Sequence, residues 1–235
     1  MPTSFRQIWE AIAEDLKQAI IRGELEGGQR LRIDELSMKY GVSNTPIRDA
    51  FRHLASLGFV ENIPRRMVIV RGISLKEIED IYAIQSVLEG LAADLAVRLC
   101  REEDVESLAR LHGRLEECVP RGDVDGYSAA DVEFHALFPR LCGNLRLVQM
   151  VENTRDHIAR FRFIMLRHPG RLQESLEEHR HIIAAFRTRD AEAANRAVKE
   201  HILVSAELLK CIIGQKGAPG VSASDGTTPG ALQSG

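Results

Sequence analysis

The chain has 235 residues, 44% of them hydrophobic, 28% charged and 5% aromatic. Such a length allows one large or two ordinary domains with cores of their own, and the composition is that of a globular protein rather than a disordered or fibrous one. A net charge of −3 excludes a uniformly basic nucleic-acid binder. The charge is unevenly spread, however: residues 1–72 carry 11 Lys/Arg against 9 Asp/Glu, a net of +2, whereas residues 73–213 carry 19 against 24, a net of −5. The cationic end is the one suited to phosphate, and its excess is small enough that a dimer is needed to double the contacts.

MPTSFRQIWE has no apolar signal core, and no run approaches the ~18 apolar residues of a membrane span. The expected location is cytoplasmic, without a membrane partner. Cys100, Cys118, Cys142 and Cys211 are widely spaced with no C-x-x-C, which fits reduced thiols better than disulfides or a zinc finger.

In chain order, Ser4 can cap a helix running to about Arg22, with Ile8, Ile12, Leu16 and Ile20 on one stripe, ended by Gly23 and Gly27-Gly28. A short helix follows over Ile33–Tyr40. Gly41 supplies the positive-φ residue of a sharp stop. Ser43 or Asn44 can cap the next helix, and Pro46 is tolerated in its first turn. Ile47, Phe51, Leu54, Ala55 and Leu57 bury one face of it and leave Arg48, Arg52 and His53 near the other. Then come two β-rich runs, Phe59–Ile63 and Met67–Arg71, joined by Pro64-Arg65-Arg66. This reads as a small hairpin with two arginines at its tip. A helix-turn-helix with a basic-tipped hairpin is a winged helix, and DNA binding is the expected function. The residues expected at DNA are Arg32, Ser43, Asn44, Thr45, Arg48, Arg52, Arg65 and Arg66. Asn pairs with adenine where arginine favours guanine, so Asn44 bears on base choice.

Residues 71–75 form a short linker, with Ser74 capping the next helix. Beyond it every segment reads helical, over about 74–99, 102–118, 123–141, 144–168, 171–188 and 190–213, a helical bundle. From Gly214 the chain is rich in Gly, Ser, Pro and Ala, and reads as a disordered tail. The expected fold is therefore mostly α: a winged helix over 1–72, an all-α bundle over 73–213 and a tail over 214–235.

Asp131 and His135 stand i, i+4 on the third bundle helix and share a face. His179 lies mid-way along the fifth and His201 mid-way along the sixth. One carboxylate and three imidazoles suit a divalent transition metal such as Zn²⁺, Ni²⁺, Mn²⁺ or Fe²⁺. Spacing alone favours the blander alternative, one satisfied histidine in the core and two on the surface.

The stretch GVSNTPIRDAFRHLASLGFV resembles the signature of the GntR family of bacterial transcription regulators, V-S-x-T-P-x-R-x-A-x-x-x-L-x-x-x-G. The preceding GELEGGQRLRIDELS is similar to that family's lead-in, so the likeness covers about residues 6–71. Asn44 stands where the family most often has arginine, and the wing lacks the usual tip glycine. Asp131-x-x-x-His135, Glu-His179-Arg and Glu-His201-Ile, with FHALFPRLCGNLRL, resemble the metal-binding pattern of the ligand-binding domain called FCD, over about residues 74–213. The shorter, six-helix version is the better match.

The resemblance implies that Asp131, His135, His179 and His201 ligate a metal, and that a dimer binds a palindromic operator under control of an organic or sugar acid. It also places Gln85 where an effector-facing arginine is usual, so that the effector is held otherwise, is less acidic or is lost; Arg160 and Arg162 are candidate substitutes, with solvated or salt-bridged arginines as the favoured alternative. Two other readings stay open: an enzyme using the Asp/His₃ centre, and a regulator whose metal is structural or is itself the signal.

Overall fold

The computed structural model describes residues 5–63, 67–72 and 74–215. The amino-terminal part runs α1 (Phe5–Ile21), β1 (Arg30–Leu31), α2 (Ile33–Tyr40), α3 (Asn44–Ser56), β2 (Val60–Ile63) and β3 (Met67–Val70). Helix α3 turns Ile47, Ala50, Phe51 and Leu54 inward against Ile12, Leu16 and Ile20 of α1 and against Leu31, Val60, Val68 and Val70 of the strands. Between α2 and α3, Gly41 takes φ 65°, the left-handed conformation expected of it. That lets the chain reverse within two residues.

Two details differ from the sequence reading. The sheet has three antiparallel strands in the order β1-β3-β2 rather than a hairpin alone, because Arg30 and Leu31 pair with Ile69 and Val68. A two-residue strand next to a glycine-rich turn has no alternation by which to detect it. Ser43 holds the cap position of α3 by its backbone but makes no side-chain cap, and Asn44 is the first helical residue. The Ser4 cap, the wing tip with Arg65 and Arg66, and the tail from Lys216 onward lie outside the described residues.

The helical part comprises α4 (Leu75–Leu99), α5 (Glu102–Cys118), a 3-10 turn over Val119–Arg121, α6 (Val124–Leu141), α7 (Leu145–Leu166), α8 (Arg171–Arg187) and α9 (Ala191–Gln215). Four of these helices start at side chains that satisfy orphan N–H groups. Ser74 accepts from Glu77 N, Asp123 from Gly126 N, Asn144 from Arg146 N and Leu147 N, and Asp190 from Ala193 N. Helices α4 and α9 pack closely at Gly90, where a Cβ would stand 2.9 Å from Lys199 Cγ and 3.2 Å from the Asn195 carbonyl oxygen. The bundle core includes Tyr82, Phe134, Phe138, Phe161 and Phe186.

Helix α7 does more than fill the bundle. Its Ala159 and Phe163 pack into the hydrophobic cluster of the winged helix. At its end Arg167 Nη1 donates to the Arg22 carbonyl oxygen, 3.5 Å away, just past α1.

Replacing Gly41 by alanine forces a Cβ into the left-handed region at a cost of about 1–2 kcal/mol. We expect a lower denaturant midpoint for the winged helix at unchanged helical content. An unchanged midpoint would show that the turn tolerates another backbone conformation.

Candidate metal centre and nucleic-acid interface

Asp131 and His135 are presented by α6, His179 by α8 and His201 by α9, and all four are buried. One ligand atom from each lies within 4.8 Å of every other. His179 Nε2 is 3.2 Å from His135 Nε2 and 3.4 Å from Asp131 Oδ1, and His135 Nε2 is 3.8 Å from the same carboxylate oxygen. His179 and His201 are thus interior groups, not the surface residues that spacing alone suggested.

The two flanking imidazoles are held in one tautomer. His135 Nδ1 donates to Glu89 Oε2 at 2.9 Å, and His201 Nδ1 donates to Glu178 Oε2 at 2.5 Å. With Nδ1 carrying the proton, each ring turns a bare Nε2 lone pair inward, as metal ligation requires. Burial would raise the Glu89 carboxyl, but Arg155 and His135 beside it hold it far below the usual carboxylate range. Burial likewise opposes ionisation of Glu178, yet hydrogen bonds from His201 and Arg171 pull it down to about 2. Both stay charged and keep accepting.

The ring of His179 differs. Its Nδ1 is buried with no hydrogen-bond partner among the described residues. Burial first, then the neighbouring His201 and His135, push its pKa well below the ordinary value, so the imidazole is neutral. Burial also lowers His201, against the pull of Glu178. Neutral imidazoles with converging lone pairs would repel unless a proton or a cation lies between them. The donor set, its tautomers and its burial fit a divalent transition metal.

Around the centre lies a cavity of about 60 Å³, whose walls include Gln85, Glu89, Arg155, Arg162 and Arg171. Arg162 Nε is 3.0 Å from Asp131 Oδ2. Arg155 donates to Glu89 and, at 2.6 Å, to the His135 carbonyl oxygen. Gln85 is buried and hydrogen-bonded to Glu89 and Thr154. Gln85 and Arg162 therefore line the cavity, while the side chain of Arg160 is outside the described residues. Glu89, Arg155, Arg171 and Glu178 escaped the sequence reading. Each acts across a gap between turns or helices, with only its charge to mark it in the sequence.

The winged helix presents Arg48 and Arg52 to a groove shared with Asn62 and Met67 of the strands. Ser43, Asn44, Thr45, Arg48 and Arg52 are exposed. Arg52 pairs with Asp49 and Arg32 with Glu35, whereas Arg48 has no ion-pair partner among the described residues.

Residues 9–70 match the family of bacterial regulatory proteins called gntR, and residues 80–203 match the FCD domain. The chain belongs to the GntR family, in its FCD-containing branch. Two regulators of this type show the likeness along most of their length. The HTH-type transcriptional regulator YdhC of Bacillus subtilis is 28% identical over 199 residues, 84% of this chain and 89% of its own. The HTH-type transcriptional repressor GlaR of Escherichia coli is 29% identical over 203 residues, 83% of this chain and 92% of its own. In fold, the FCD-type chain also superposes on the solved structure of E. coli McbR/YncC with a TM-score of 0.73 at 22% identity, covering 90% of this chain and 99% of that one. This GntR protein is thus a transcription regulator rather than an enzyme. No helix among its described residues is long and apolar enough to cross a membrane.

The depressed imidazoles have a measurable consequence. In metal-free protein the folded state keeps His179 and His201 neutral below the ordinary value of 6.5, where the unfolded chain takes up protons. The unfolded state then binds more protons, so stability must fall as the pH drops through 6.5. Chelator-treated protein should have a lower urea midpoint at pH 5.5 than at pH 7.5, and His179→Phe should flatten the difference. An equal slope in the variant would refute the assignment.

Proposed function

We propose that the protein is a dimeric, ligand-responsive transcription repressor acting on a palindromic operator. In this reading residues 1–72 bind DNA, residues 73–213 bind effector and dimerise, and residues 214–235 are a tail without a core. The observation that carries the reading is α7. Its Arg155, Ile158, Arg162 and Met165 line the cavity at the metal centre, while Ala159 and Phe163 pack into the winged helix. A side chain moved by a ligand therefore belongs to the same rigid helix as one seated in the DNA-binding domain.

Charge supports an acidic effector. Arg155, Arg162 and Arg171 are balanced by Glu89, Asp131 and Glu178. A divalent Zn, Ni, Mn or Fe ion held by Asp131, His135, His179 and His201 would add two uncompensated positive charges in a dry interior. A ligand carboxylate in the ion's remaining positions is the natural counter-charge. Arg162 and Gln85 are placed to orient it. A cavity of about 60 Å³ admits a few water-sized groups. A small organic acid suits that space, and a sugar acid requires side chains to swing aside.

A second copy of the chain is supported by α4. Ile84, Val87 and Leu91 stand i, i+3, i+7 on it and are 53%, 56% and 43% exposed, an apolar stripe without cover in the single chain. Two winged helices would then meet successive major grooves and offset the small charge excess. The comparison with GlaR supports repression, and the regulatory role makes the cytoplasm the place of action. An enzymatic use of the centre is disfavoured because Glu89 and Glu178 are both committed to imidazole Nδ1 atoms. Neither is left as a general base.

Two measurements test the reading. Fluorescence anisotropy with duplexes selected by the wild-type protein should show Arg48→Ala weakening binding by roughly tenfold. Indifference to that change would remove α3 from the interface. The chain has one tryptophan, Trp9, and it packs against the same winged-helix cluster as Phe163. Zn²⁺ titrated into chelator-treated protein should shift Trp9 emission. Phe163→Ala should abolish the shift while calorimetry still detects Zn²⁺ binding. A shift that persists in the variant would rule out α7 as the connection.

A further inference from the structure

The cavity beside the metal centre has a second polar end. Helix α8 carries Arg171, Ser175 and His179 at i, i+4 and i+8, and α9 carries His201 and Ser205 at i and i+4. Each serine therefore stands one turn from a proposed ligand, on the same helix face. Both serines are buried and line the cavity together with Tyr82 of α4. One turn is ~5.4 Å, which sets the scale of the distance from the centre to this end.

The hydroxyls there are short of acceptors. Ser205 Oγ accepts from Arg171 Nη2 at 3.0 Å, which leaves its own proton to donate. The Tyr82 hydroxyl reaches the Met165 sulfur at 3.8 Å, a weak acceptor. Burial pushes that phenol up against the opposing pull of Arg162 and Arg171, so it stays protonated and remains a donor. Two donors at a cavity wall call for an oxygen that accepts. A second ligand carboxylate does not suit this end. Arg171 is the cation here, and its two Nη atoms already donate to Glu178, at 2.6 and 2.8 Å. Another carboxylate would meet the buried Glu178 charge across a guanidinium that Glu178 already occupies.

We propose that the cavity selects monocarboxylic acids that carry a neutral oxygen, a hydroxyl or a carbonyl, on the third carbon beyond the carboxyl, and that Tyr82 and Ser205 hold this oxygen. A spacer of three carbons reaches about 5 Å, close to the one turn between the centre and the hydroxyls. Ile158, Met165 and Ile202 also line the cavity and suit the methylenes of such a chain. The inference rests on the reading of the cavity as an acid-effector site, given above.

The test is isothermal titration calorimetry of the full-length, Zn²⁺-loaded protein with 4-hydroxybutyrate, butyrate and succinate. 4-Hydroxybutyrate should bind roughly tenfold more tightly than butyrate, the contribution of about one or two buried hydrogen bonds, and more tightly than succinate. Tyr82→Phe and Ser205→Ala should each reduce the preference over butyrate while leaving the affinity for butyrate unchanged. Equal binding of butyrate and 4-hydroxybutyrate, succinate as the tightest of the three, or a preference untouched by both substitutions would overturn the proposal. So would substitutions that weaken all three acids alike, since a merely structural role has that effect. Absence of binding by all three acids would instead overturn the acid-effector reading of the cavity, and this inference with it.

Discussion

Three imidazole nitrogens and a carboxylate oxygen gathered within 4.8 Å of one another in a dry interior are polar groups whose burial is costly without partners. His135 Nε2 and His179 Nε2 stand 3.2 Å apart, a separation that a proton or a cation between them stabilises and that two bare lone pairs would not. Glu89 and Glu178 hold two of the three rings by their Nδ1 protons. Those carboxylates are buried charges and need counter-charges of their own, which Arg155 and Arg171 supply. Asp131 makes the same demand on Arg162. The ionic interior of the bundle is thus one connected set, in which each arginine compensates a carboxylate that holds an imidazole or belongs to the cluster itself. Phe134 packs against the cluster from one side: it stands edge-on to His135, and its centroid is 4.6 Å from that of His179.

This requirement also explains the burden on α7. Two of the three counter-charging arginines, Arg155 and Arg162, lie on it one face apart from Ala159 and Phe163. A helix has only one orientation about its axis. The rotation that satisfies Glu89 and Asp131 therefore also decides how Phe163 enters the winged-helix core. Rigid helices transmit such constraints because a packed core resists continuous deformation.

The winged helix was legible because its signals are local. Gly41, Pro46 and the spacing from Ile47 to Leu54 act within one or two turns, and helices α2 and α3 fall where those residues place them. The caps Ser74, Asp123 and Asn144 are local too, and the bundle helices begin at them. The Asp/His cluster was half legible: Asp131 and His135 share a helix face, but the arrival of His179 and His201 at the same point is a property of how α6, α8 and α9 pack. The supporting ion pairs were not legible at all. Glu89 and Arg155 are 66 residues apart, and neither differs in sequence from the solvated charges around it. The Ser205 hydroxyl escaped for the same reason: a serine on a long helix is unremarkable until the bundle sets it beside Arg171.

The balance of charge has one more consequence for the proposed switch. Without a cation the interior is neutral, since three arginines meet three carboxylates. A divalent ion alone leaves it positive, and an anion alone leaves it negative. Each partner therefore enters a better-compensated site when the other is present, so their affinities are coupled, and the coupling is equal in both directions. On the proposed reading the winged helix responds most strongly to the pair. On that reading the conformational effect would be exerted through α7, which carries Arg162, the group paired with Asp131 that would share it with the ion and turn toward the ligand. The repressor would then sense an acid only where its metal is loaded, and hold its metal best where the acid is abundant.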